Sequence, residues 1–157
     1  MQTIYSLFEF IQESTCSFTT AQAVMNRLKE EAFTELNMNE SWSDIKPGKY
    51  FINMHYSSVI AFTVGKDVLK GNVTEKNITN NNILRIAACH TDSPALYIKP
   101  NAEMVTGNYG KLNVDIYGGP ILNTWLDRPL SISGRISYRS DDVFKPNVKV
   151  VDFKENI

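Results

Sequence analysis

The chain has 157 residues, of which 43% are hydrophobic, 11% aromatic and 21% charged. That composition excludes a disordered polymer, and the length suffices for a core that needs neither disulfides nor metals as staples. Sixteen basic residues against seventeen acidic ones leave a net charge of −1, so no basic excess favours nucleic acid, and no apolar run is long enough to span a membrane.

The N-terminus lacks a positively charged region, and Glu9 interrupts its apolar stretch, so it reads as mature chain rather than a signal peptide. Ile4, Leu7, Phe8 and Ile11 recur at helical spacing and predict an amphipathic helix. A second helix is expected from a cap at Thr19-Thr20 to about Phe33, with Val24, Leu28 and Ala32 on one face. Glu35 to Gly48 is polar, ends in Pro47-Gly48 and reads as a loop. Lys49 to Asn53 and Ser57 to Val64 alternate in the manner of two strands around a short turn. Gly71 to Asn82 reads as a polar surface loop. Ile83 to Cys89 (ILRIAAC) is nearly all apolar and predicts a strand buried on both faces. Leu96 to Lys99 follows as a short strand.

Beyond Pro100 no helix is expected. Leu112 to Tyr117, Leu130 to Tyr138 and Val148 to Phe153 read as strands, separated by turns at Gly118-Gly119-Pro120 and Ser140-Asp141-Asp142. A boundary near residue 100 would therefore divide an α/β part, residues 1–100, from a β-rich part, residues 101–157. Cys16 and Cys89 form no CxxC pair and read as free thiols of a reducing cytoplasm. The sequons at Asn39, Asn72 and Asn77 read as chance matches in an Asn-rich chain.

Candidate chemistry centres on His90 and Asp92. At a strand end an i, i+2 pair points to one side. An imidazole there can bind a metal while a carboxylate fixes its ring orientation. The bland alternative is that His90 caps the strand and Asp92 makes an Asx turn before Ser93-Pro94. A Ser-His-Asp triad from His90, Asp92 and Ser93 is rejected, because triad members come from separate parts of a fold. His55 falls in a hairpin turn and reads as solvated, and Cys89 as an inert core thiol. Asp127-Arg128 beside Trp125 suits a salt bridge, or Arg128 a substrate carboxylate. No GxGxxG motif or P-loop supports a nucleotide cofactor.

The segments ACHTDSPALYIKPN and VDIYGGPILNTWLDRPLSISGRI, with KPGKYFINMHYSSVIAFTVG before them, resemble the aspartyl aminopeptidase family of dinuclear zinc metallopeptidases. FIQESTCSFTTAQAVMNRL matches more loosely. The resemblance implies an N-terminal part of an α/β catalytic domain, followed by the start of a β-rich inserted dimerisation domain. It makes His90 the first zinc ligand. It makes Asp92 the catalytic acidic residue that orients that ligand. Tyr117-Gly118-Gly119 and Trp125-Leu126-Asp127-Arg128 become architectural. Thr19 stands where the family usually has a histidine.

The resemblance further implies two zinc ions per complete site and a peptide substrate, with acidic N-terminal residues suggested by the family name. It implies a homo-oligomer, from dimer to dodecamer. The remaining ligands, the glutamate base and a histidine reaching a neighbouring subunit lie downstream in the family. The 157-residue chain is therefore expected to be inactive alone. The alternatives are a non-enzymatic oligomerising or split-protein module, or a mononuclear metal binder using His90, His55 and nearby acids.

Overall fold

In a computed structural model, residues 2–65 and 85–155 are described. The chain divides into two compact units. Met1–Thr91 with Ser133–Asp152 form the first, and Asp92–Ile132 with Phe153–Ile157 the second.

The first unit opens with α1 (Gln2–Glu13) and α2 (Ser17–Glu30). Arg27 ties the two together: its Nη1 donates to Ser6 Oγ at 3.0 Å and its Nη2 to the Ser6 carbonyl at 2.9 Å. Its guanidinium also lies 5.0 Å from the Phe10 ring centroid. Helix α2 begins earlier than its threonines suggest. Cys16 is the N-cap, and its backbone N–H donates to Thr19 Oγ1 at 2.8 Å, the N3-to-N-cap half of a capping box. The helix also ends earlier, through a Schellman closure. Phe33 N–H reaches the Leu28 carbonyl at 2.9 Å and Ala32 N–H the Lys29 carbonyl at 3.1 Å. Ala32 adopts a φ of 60° to make this turn, which takes it out of the expected helical face.

Strands β1 (Thr34–Leu36), β2 (Gly48–Met54) and β3 (Ser58–Val64) form one sheet. β1 runs parallel to β2, and β2 antiparallel to β3 with Ile52 opposite Ile60. The two longer strands match expectation. β1 runs into the stretch read as loop from Glu35 onward, because three residues carry too little alternation to announce a strand. The core of this unit joins Ala21, Ala23 and Met25 of α2 to Phe51 and Ile52 of β2, with Phe51 fully buried.

Strands β6 (Ile132–Tyr138) and β7 (Asn147–Phe153) pair as a separate ribbon. Arg135 of β6 donates to the His55 carbonyl at 3.1 Å and lies 5.1 Å from the Phe18 ring centroid. Thr15 Oγ1 donates to Asp152 at 3.2 Å.

The expected strand Ile83 to Cys89 is not formed where the chain is described: residues 85–90 have no regular structure and are exposed, Ile86 to 80%. Ile83, Leu84 and the loop Gly71 to Asn82, with Asn72 and Asn77, lie outside the described residues. A strand buried on both faces needs neighbouring strands, and no described strand pairs with residues 85–90. Cys89 is correspondingly exposed rather than a core thiol.

The second unit is built on a hairpin of β4 (Ala95–Thr106) and β5 (Tyr109–Tyr117). Its tip carries Gly107 at φ 61°, the first central position of a two-residue turn. The register shifts between Ile98 and Glu103, where Asn101 takes a φ of 53°. The expected strand Leu96 to Lys99 is thus the first part of a longer one, and residue 100 lies inside it. Ala102 is buried. Lys99 pairs across the hairpin with Asp115 at 2.8 Å. A 3-10 turn, Leu122–Thr124, follows β5.

Candidate functional site

His90 and Asp92 fall on opposite sides of the division between the units, so each is described within its own. His90 ends the exposed segment of the first unit. The strand geometry that would aim it is absent there, so alternation cannot be used to infer its direction. Neither His90 nor Asp92 lacks an interaction partner.

Asp92 is half-buried at the start of the second unit. Pro94 follows, and β4 begins at Ala95. The antiparallel register sets Ala95 opposite Tyr117, the last residue of β5. This brings the Tyr117 phenol onto Asp92: Tyr117 Oη donates to Asp92 Oδ2 at 2.5 Å. The same ring stacks on Tyr97, with centroids 4.5 Å apart and planes 8° from parallel. Tyr97 faces Asp115 in the register, so the two rings meet diagonally across the hairpin.

Gly118 completes the cluster. Its φ is 74°, and a Cβ there would lie 3.4 Å from Pro94 Cα. That distance is ordinary contact, so it is the left-handed φ of the turn that calls for glycine. The hydrogen bond from Tyr117 to Asp92, and then the carboxylate's negative charge, hold the phenol pKa above its ordinary value.

Sequence reading took Tyr117 as architectural and missed this contact. The pairing joins residues 25 positions apart. Only the strand register could have revealed it. The neighbouring Trp125 to Arg128 segment is held locally: Arg128 Nη1 donates to the Thr124 carbonyl at 3.0 Å, and Thr124 Oγ1 to the Ile121 carbonyl at 2.7 Å. Asp127 sits at a left-handed φ of 53°.

In the first unit, His55 lies in the β2–β3 turn and is exposed, as expected. It and Tyr56 have φ values of 54° and 66°. Thr19, the residue standing in the histidine position of the resemblance, is buried and spends its hydroxyl on the α2 cap.

A zinc site takes at least three protein ligands. Among the described residues, no three His, Cys, Asp or Glu side chains gather in a way that could hold a metal ion. These residues therefore do not make up a zinc centre by themselves. The mononuclear reading through His90 and His55 has no donor set among them either. No described helix is long and apolar enough to cross a membrane.

Residues 10–156 match the family model of the aminopeptidase I zinc metalloproteases, M18. A probable M18 family aminopeptidase 2 of Clostridium acetobutylicum is 43% identical over 152 residues, covering 96% of this chain and 33% of its own length. Its namesake in Pseudomonas putida strain GB-1 is 33% identical over 94% of this chain and 32% of its own length. The chain thus spans about a third of the length of these curated relatives. Among solved structures, the cryo-EM structure of the Ape4 and Nbr1 complex contains a chain similar at a TM-score of 0.82 and 30% identity, over 96% of this chain and 27% of that one. The dodecamer of S. cerevisiae mApe1 is similar at a TM-score of 0.73 and 23% identity, over 96% and 33%.

Proposed function

The chain belongs to the aminopeptidase I zinc metalloprotease family, M18, and from that premise we propose that it is the N-terminal portion of a zinc-dependent aminopeptidase of the aspartyl aminopeptidase type. The carrying observation is the lopsided match: 96% of this chain aligns with a third of a family member. In the complete enzyme His90 holds one of two zinc ions, and Asp92 orients that ligand without touching the metal. The substrate is a peptide with an acidic N-terminal residue. Zinc supplies the activated water and polarises the scissile carbonyl when bound.

The remaining ligands and the glutamate base belong to the part of the relatives that has no counterpart here. Residues 1–100 contribute to the catalytic domain, and residues 101–157 open an inserted domain that builds a cytoplasmic homo-oligomer. Of that ligand set the 157-residue chain carries His90 alone on this reading, and the chain by itself is therefore inactive.

Incubating the purified chain with zinc and an aspartyl chromogenic substrate tests this. Turnover should equal that of a His90→Ala control. Turnover above it would overturn the claim of inactivity. The parent activity is tested separately on the complete polypeptide, where His90→Ala should abolish zinc-dependent release of the N-terminal residue.

A second reading has its own observation. Ile86 is 80% exposed in an apolar segment, and the β4–β5 hairpin leaves Val105 and Tyr109 largely exposed. Such surfaces favour a split-protein or oligomerising module. Light scattering that found a monodisperse monomer with no partner would count against it.

A further inference from the structure

We propose that Tyr117 is a positioning residue for the reaction, fixing the direction of the Asp92 carboxylate through its phenolic hydrogen bond. The inference rests on the role given to Asp92 above and adds a residue to which that role assigns nothing.

Three independent features aim the phenol. The hairpin register sets Tyr117, the last residue of β5, opposite Ala95, which follows closely after Asp92 in the chain. The stack on Tyr97, at 4.5 Å and 8°, restricts the ring plane. Gly118, at a φ of 74°, lets the chain turn directly after Tyr117. The hydroxyl then has one short contact, 2.5 Å, to Asp92 Oδ2.

A carboxylate has two oxygens and rotates about one bond. Engaging Oδ2 leaves Oδ1 to be directed elsewhere. A group that must orient a ligand gains from this, because its own rotational freedom is already spent. A tyrosine kept only for packing would need the ring but not the hydroxyl. The two uses are therefore separable by experiment.

The test uses the complete zinc-loaded enzyme that carries this chain, assayed with aspartyl-p-nitroanilide. Tyr117→Phe keeps the ring and its stack and removes the hydroxyl. We expect kcat to fall by up to about tenfold, the lower end of the cost of losing a partner behind a metal ligand, because Tyr117 acts one residue further out through Asp92. KM should stay within twofold and zinc content should not change. An unchanged kcat, or a loss matched only by a lower melting temperature, overturns the proposal. Should Tyr117→Phe fail to fold, fluorotyrosines at position 117 keep both ring and hydroxyl while making the phenol more acidic. There kcat should track phenol acidity at constant KM, and a flat response overturns the proposal. A wild-type enzyme without zinc-dependent turnover would remove the reading of Asp92 and this inference together. An active wild type with an equally active Tyr117→Phe removes this inference alone.

Discussion

At Cys16, burial and hydrogen bonding pull the thiol in opposite directions. Burial raises its pKa. The bonds from Ser133, Thr19 and the Phe18 backbone lower it, and they win: the thiol lies below its ordinary value. A group depressed in the folded chain stabilises it above the unfolded pKa, and that contribution is lost as pH falls through the folded one. Ser133→Ala should raise the thiol pKa, so that the pH profile of iodoacetamide alkylation at Cys16 shifts upward. A profile unmoved by that change would separate Ser133 from the thiol. Tyr117 shows the opposite sign. Its raised pKa stabilises the folded chain below the ordinary tyrosine value, and the contribution is lost as pH rises through the folded one. Asp92→Asn should return the phenol toward ordinary acidity in an ultraviolet titration of the tyrosines. The two residues also show what was legible locally. His90 and Asp92 stand out as a motif two positions apart in the sequence, whereas Tyr117 reaches Asp92 only through strand pairing.

Among the elements, both ends of α2 make separate predictions. Thr19→Val removes the hydroxyl that receives the Cys16 N–H and leaves that donor without its partner. It should destabilise the chain by about 1 kcal/mol, the typical worth of a cap. Ala32→Gly should do the reverse. Alanine at a φ of 60° carries a left-handed penalty of roughly 1 kcal/mol that glycine avoids. Urea denaturation of both variants checks the pair, and a destabilised Ala32→Gly would contradict the strain argument.

The readable elements were those with a one-sided environment. β2 and β3 alternate because one face is buried, and the alternation survives in the sequence. The expected strand Ile83 to Cys89 is not formed over its described residues for the complementary reason. A uniformly apolar run records that something should cover it but not what, and residues 85–90 have no strand beside them among those described. The early start of α2 escaped because Cys16 is a poor advertisement for a cap. The sequence places the cap at Thr19-Thr20, whereas Thr19 is the third residue of the helix.

For the whole molecule, the large apolar side chains left exposed on α1 and on the β4–β5 hairpin set a further expectation. Ile4, Leu7, Phe8 and Ile11 form one helical stripe, each more than half exposed. A two-stranded ribbon is marginal alone, and apolar patches on this scale favour association. Mixed with a polypeptide supplying the rest of an M18 enzyme, the chain should elute as a complex from a sizing column. It should also lose part of its binding to a hydrophobic dye. Separate elution with unchanged dye binding would count against complementation.

The discontinuity of the first unit carries a consequence in time. Its last strands, within Ser133–Asp152, follow the whole Asp92–Ile132 stretch of the second unit in the chain. On the ribosome the helices and first sheet therefore emerge with Arg135 and Asp152 still unsynthesised. At the usual pace of translation the wait lasts on the order of seconds. During it, Phe18 and Thr15 lack the neighbours that later engage them. A nascent chain halted before Ser133 should thus be cut readily by protease near α2, and one extended past Asp152 should resist. The order of synthesis leaves an interval in which a chaperone, or a second nascent chain, can reach a surface that the finished unit covers.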